Sequence, residues 1–97
     1  MAQLTGSKKI KTAVFISGTG SNLKSLIKFS KLKKSPISID IVLSNNTKSK
    51  GLEFAKMHKI KKKVFNYKNK LLAEKKILNE LNKNKIELIC LAGFMKI

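Results

Sequence analysis

The 97-residue chain contains no arginine and no tryptophan, and only one cysteine, one histidine, one proline and one tyrosine. Each shortage excludes something. A single thiol, Cys90, cannot build an intrachain disulfide framework and suits a reducing cytosol. Without arginine the chain lacks the planar fork that reads base edges, because lysine supplies only a hydrated point charge. Tyr67 has no aromatic partner in a stacking pattern, so a single-strand platform is not indicated. No window approaches the roughly 18 apolar residues of a membrane span. The basic stretch from Met1 to Lys11 has no apolar region before a cleavage site, so export is not indicated and cytoplasmic residence is expected. Acid is also scarce: five Asp and Glu against 22 lysines leave a net charge of +17. The lysines run along the whole chain, densest at Lys8-Lys9, Lys31 to Lys34 and Lys59 to Lys63. This reads as a solvated surface with salt-sensitive attraction to polyanions and no specific nucleic-acid partner.

What is present is an alternating pattern. Residues 1–10 are polar and read as a disordered basic N-terminus. Residues 11–97 read as the N-terminal part of a larger α/β domain. A first strand is expected over Thr12 to Ser17. A helix starts near Ser21-Asn22, either of which can cap, and forms an amphipathic segment from Leu23 to Lys33 with Leu23, Leu26 and Ile27 on one face. Pro36 leads into a β-branched second strand, Ile37 to Leu43, and Ser44-Asn45-Asn46-Thr47 is a turn. A second helix, about Lys48 to His58, is expected to bury Leu52, Ala55 and Met57. A short third strand covers Lys63 to Phe65. A third helix, about Leu71 to Lys83, shows Leu71, Leu78 and Leu81 at helical spacing. The apolar run Ile86 to Ala92 makes a fourth strand. Four strands alternating with three helices predict a Rossmann-like, doubly wound parallel sheet. Strands one and four, apolar on both faces, are expected at its centre. In that order strand four pairs with strand one opposite strand two. The loops at 18–22 and 93–95 then meet at the switch point where ligands bind.

The turn Gly18-Thr19-Gly20-Ser21-Asn22-Leu23 carries most of the functional signal. A strand that empties through small residues into a helix start directs unpaired N–H groups at one spot, and the helix dipole favours an anion there. A dinucleotide fingerprint wants a third glycine where Leu23 stands and an acid at the end of strand two, whereas Asp40 lies early in that strand. A P-loop wants a lysine that Gly20-Ser21-Asn22 lacks. What remains is a compact site for one phosphate, built from the N–H groups of Gly20, Ser21 and Asn22 with the Ser21 hydroxyl and the Asn22 amide. A glycine turn with no ligand is the alternative.

Val14 to Leu23, Ser44-Asn45-Asn46, Gly51-Leu52 and Leu91-Ala92-Gly93-Phe94-Met95-Lys96-Ile97, in that order, resemble the phosphoribosylglycinamide formyltransferase family. The resemblance runs from about Lys11 to the last residue. It implies transfer of a formyl group from 10-formyltetrahydrofolate, without a metal, to the amine of glycinamide ribonucleotide in purine synthesis. It also implies that Gly20, Ser21 and Asn22 hold the substrate phosphate. Met95, Lys96 and Ile97 would begin the folate-lining segment, with Lys70 as a further basic folate-side position. The family often has arginine where Lys96 stands. The asparagine, histidine and aspartate that do the family's chemistry lie beyond Ile97, so no catalytic residue is expected within the chain and the 97 residues alone are expected to be inactive. His58 is expected on the surface and Cys90 in the core. The glutamates are expected to pair with neighbouring lysines. Two rival readings stand beside this one. The first is a non-catalytic phosphate or nucleotide binder, or a related formyltetrahydrofolate-using enzyme (deformylase or methionyl-tRNA formyltransferase). The second is a basic nucleic-acid-binding module.

Overall fold

The computed structural model describes residues 9–17, 21–66 and 68–92. Four strands and three helices alternate: β1 (Ile10–Ile16), α1 (Ser21–Ser30), β2 (Ile37–Ser44), α2 (Gly51–Met57), β3 (Lys61–Val64), α3 (Lys70–Lys83) and β4 (Leu88–Leu91). The strands form one parallel sheet in the order β3-β2-β1-β4. After β1 the chain winds outward through β2 to β3, then returns across the sheet to β4. This reversal places α1 and α2 on one face and α3 on the other, as right-handed crossovers require.

Period-two alternation along β1 feeds both faces of the core. Val14 and Ile16 meet Leu23 and Ile27 of α1, Val42 of β2, and Leu52 and Ala55 of α2. Ala13 and Phe15 point the other way, toward Ile41, Leu43, Phe65 and Ile77 of α3. The register of β1 on β2 shifts between Thr12 and Ala13, leaving Asp40 as the extra residue of a bulge. The Asp40 carboxylate accepts from the Ser38 hydroxyl at 2.6 Å and lies 3.9 Å from Lys11 Nζ. It is therefore a local tie, well short of the strand's C-terminal end.

Several expected boundaries move, each for a visible reason. β1 begins at Ile10, whose N–H donates to the Pro36 carbonyl. Lys9 Nζ donates to the carbonyls of Ser30 and Leu32, at 2.6 and 2.9 Å, so the ordered chain reaches back into the stretch expected to fray. That same ammonium satisfies orphan carbonyls at the end of α1, which stops at Ser30 rather than running to Lys33. α2 starts three residues later than expected. Asn46 Oδ1 first takes the Lys48 N–H in an Asx turn, and the Ser49 N–H donates to the Asn46 carbonyl. β3 is shifted to Lys61–Val64, and Phe65 is buried just past its end.

Three expectations about burial are corrected. Met57 is 72% exposed, because the short α2 docks through Leu52 and Ala55, and a residue two positions beyond Ala55 turns away from the sheet. Leu71 and Leu78 are exposed, while Ala73 and Ile77 are buried and Leu81 is partly buried. Ile77 joins the cluster of Phe15, Ile41, Leu43 and Phe65 with Leu81 packed beside it, so α3 docks through this stripe rather than through Leu71 and Leu78. β4 forms one side of the described sheet, and Cys90, expected in the core, lies on it. Ile89 and Leu91 stand 49% and 54% exposed, and Cys90 is only partly buried.

Candidate functional site

The C-terminal ends of β1, β2 and β4 lie side by side. Ile16 pairs with Ser44, Phe15 with Leu91, and the Ala92 N–H donates to the Phe15 carbonyl at 2.8 Å. The chain therefore leaves β1 and β4 at the same end of the sheet on adjacent strands. This is the switch point at which open α/β sheets hold ligands. Of the expected site residues, Gly20, Met95, Lys96 and Ile97 lie outside the described residues, as do Gly18, Thr19, Gly93 and Phe94.

Ser21 is the first residue of α1 and Asn22, exposed, the second. Only three residues separate Ser17, just past β1, from this helix. Leu23 and Ile27, both essentially fully buried, fix α1 against Val14 and Ile16. The amides of the helix's first turn have no intrahelical partner, and the macrodipole adds positive potential there. No acidic residue occupies that first turn. Lys24, one position past Leu23, sits with its ammonium 5.6 Å from the centre of the Phe54 ring, a cation–π arrangement that keeps a positive charge near the helix start. The local field thus suits an anion.

In the sequence Asn45 stands in a turn and in one of the motifs that carry the family resemblance, with no part in the site assigned to it. It follows Ser44 at the end of β2, beside the exit of β1. Its Oδ1 is buried without a hydrogen-bond partner among the described residues. Its neighbours account for the surrounding turn: Ser44 Oγ donates to the Asn46 carbonyl and accepts from the Asn46 N–H. Burial of one amide oxygen is a property of three dimensions, and no sequence pattern announces it.

Lys70 opens α3, exposed, behind Asn69, whose Oδ1 caps the helix by accepting from the Leu72 N–H at 3.1 Å. It occupies the crevice end of the sheet but follows β3, the edge strand opposite β4. At about 4.8 Å per strand, this is roughly 14 Å of sheet width from the exit of β4. His58 caps the C-terminus of α2, at the far end of the sheet from the crevice. Among the acids, Glu80 lies 4.0 Å from Lys63 Nζ, and Glu87 Oε1 accepts from the Lys11 backbone N–H at 3.1 Å. Among the described residues no group of three or more His, Cys, Asp or Glu could hold a metal ion. No helix among them is long and apolar enough to cross a membrane.

Known proteins share this arrangement. The formyl transferase family model matches residues 10–97. The chain is 43% identical over 93 residues to the human trifunctional purine biosynthetic protein adenosine-3, covering 93% of this chain and 9% of that protein. It is 39% identical over 90 residues to the phosphoribosylglycinamide formyltransferase of Haemophilus influenzae, covering 90% of this chain and 42% of the relative. Among solved structures, the phosphoribosylglycinamide formyltransferase of Brucella melitensis superposes with a TM-score of 0.88 at 34% identity, over 93% of this chain and 48% of that one. A Pseudomonas putida formyltetrahydrofolate deformylase superposes with a TM-score of 0.83 at 24% identity, a likeness of fold alone. The chain thus spans less than half the length of each of these relatives. With β1 and β4 paired side by side in a parallel sheet and a family match over nearly the whole sequence, the chain belongs to the formyl transferase family.

Proposed function

We propose that this chain is the substrate-phosphate part of an enzyme that transfers the formyl group of 10-formyltetrahydrofolate to the amine of glycinamide ribonucleotide in purine synthesis. The observation that carries the reading is the start of α1 at the exit of β1, directly beside the exit of β4. It is supported by the family match and by the phosphoribosylglycinamide formyltransferases among the chain's relatives.

In this reading the N–H groups of Gly20, Ser21 and Asn22, with the Asn22 amide, hold the ribose-linked phosphate at the start of α1. Lys24 contributes charge from the next turn. Met95, Lys96 and Ile97, following β4, border the folate, and Lys70 adds charge at the same end of the sheet. Gripping the phosphate uses binding energy remote from the reacting centre to orient the glycinamide amine. Attack of that amine on the formyl carbon builds an oxyanion that needs hydrogen-bond donors and a proton acceptor. By the family resemblance those groups lie beyond Ile97. The 97 residues are accordingly expected to bind substrate without turning it over, in a cytoplasmic setting.

Calorimetry with glycinamide ribonucleotide, AMP and inorganic phosphate tests the assignment. Preference for glycinamide ribonucleotide, lost in Asn22→Ala, is the expected result. Equal weak binding of all three would reduce the site to a general phosphate cradle. Measurable formyl transfer by the 97 residues would overturn the placement of the catalytic groups.

A further inference from the structure

β3 reads Lys-Lys-Lys-Val and forms one edge of the sheet among the described strands, with all four residues exposed. In a parallel ladder, the N–H and C=O groups of one residue point to the same side, and successive residues alternate. The Phe65 N–H donates to the Ser44 carbonyl of β2 at 2.8 Å. Residues 61, 63 and 65 therefore face β2, and the backbone donors and acceptors of Lys62 and Val64 point out from the edge.

Lysines flank this free edge on both faces of the sheet. On the α2 side a cleft of about 580 Å³ is bordered by Lys50, Lys56 and Lys62, with Glu53 as its acid. On the α3 side a second cleft, about 640 Å³, is bordered by Lys63, Lys68 and Lys76. Glu80 there is already engaged by Lys63 at 4.0 Å. Lysine on an edge strand ordinarily discourages pairing between copies of the same chain. At a net charge of +17 that discouragement is strong. The same arrangement is complementary to a strand of opposite sign.

We propose that the free edge of β3 docks an acidic, extended peptide segment, added to the sheet as a further strand. Main-chain hydrogen bonds to Lys62 and Val64 supply the pairing, as in other strand-addition complexes. Alternate side chains of the added strand fall over the α2 cleft and the α3 cleft, so glutamate or aspartate on either face meets lysine. A phosphodiester backbone matches the charge and can accept from the outward N–H groups, but it has no donor for the outward carbonyls and cannot complete the ladder. The surface also lacks arginine and stacked aromatics to favour it.

The probe is a fluorescent ten-residue peptide of alternating glutamate and valine, titrated against the full chain at low salt, with amide exchange followed by NMR. Saturable binding is expected, together with exchange slowed roughly tenfold or more at the Lys62 and Val64 amides. Val64→Pro removes an outward-pointing N–H that β2 does not use, a position where a strand tolerates proline. It should weaken binding about tenfold or more while circular dichroism stays unchanged. Lys56→Glu with Lys62→Glu should do the same through charge. No binding, or binding that leaves both amides exchanging freely, overturns the proposal. Hexauridylate, of equal charge, competing as tightly and ignoring Val64→Pro would overturn it too, making the edge a general polyanion surface.

Discussion

Asn22 is exposed on the second residue of α1, so its side chain is free to act on a ligand and does little for the fold. Asn22→Ala is expected to weaken glycinamide ribonucleotide binding at least tenfold and to shift unfolding by no more than about 0.5 kcal/mol. Chemical denaturation alongside calorimetry separates the two effects. Asn45 behaves oppositely, because its buried Oδ1 stands beside the exit of β1. In Asn45→Asp a buried carboxylate would repel an incoming phosphate, so binding should fall and stability should drop by about 1–3 kcal/mol. Ile77 and Leu78 offer a contrast between neighbours in sequence, one buried and one exposed. Ile77→Ala should cost about 2–5 kcal/mol, whereas Leu78→Ala should stay within about 0.5 kcal/mol. Equal losses at both positions would mean that α3 docks through its leucine stripe.

At the scale of elements, both later helices end in the same way. Lys59 and Lys85 take φ of 58° and 55° just past the ends of α2 and α3. Ile60 and Ile86 then return their N–H groups to the carbonyls of Ala55 and Leu81. This is the 6→1 bond of a Schellman motif, in which the left-handed position favours glycine. Lysine there strains against its Cβ at about 1–2 kcal/mol, partly offset in glycine by the greater freedom of the unfolded chain. Lys59→Gly and Lys85→Gly are each expected to stabilise the protein by about 0.5–1 kcal/mol, read as a raised denaturation midpoint. The order of elements was legible because each segment carries its own period: β-branched alternation in Ile37 to Leu43, and the Leu23–Ile27 spacing in α1. Helix ends were less legible. Lysine in place of glycine concealed both Schellman turns, and the Lys9 ammonium that bonds the carbonyl at the end of α1 comes from 21 residues upstream. The facing of α3 was illegible for a related reason. Which of two stripes docks depends on which one meets the apolar face of Phe15, Ile41 and Leu43, a matter of the assembled sheet.

For the whole molecule, charge is the dominant fact. A net charge of +17 on 97 residues raises self-repulsion, which the folded state concentrates. Sodium chloride raised from 0.05 to 0.5 M shortens the screening length to a few ångströms. It is expected to increase stability by about 1 kcal/mol, a Tm gain of roughly 4–8 °C for a domain this size. A Tm that falls with salt would instead mean that ion pairs such as Lys63–Glu80 and Lys11–Asp40 outweigh the repulsion. Part of the candidate site was legible at this scale too. The sequence pattern implied that strands one and four would be neighbours, and the paired ends of β1 and β4 bear this out. Asn45 was legible as part of a turn and a family motif but not as a site residue, because only the folded chain buries its oxygen. The proposed function depends on where the ribose-linked phosphate sits, and an NMR titration of the isotope-labelled chain with glycinamide ribonucleotide tests that most directly. The largest amide shifts are expected at Gly20, Ser21 and Asn22 with smaller ones after β4, whereas shifts centred on Lys61 to Val64, with the start of α1 unmoved, would contradict it.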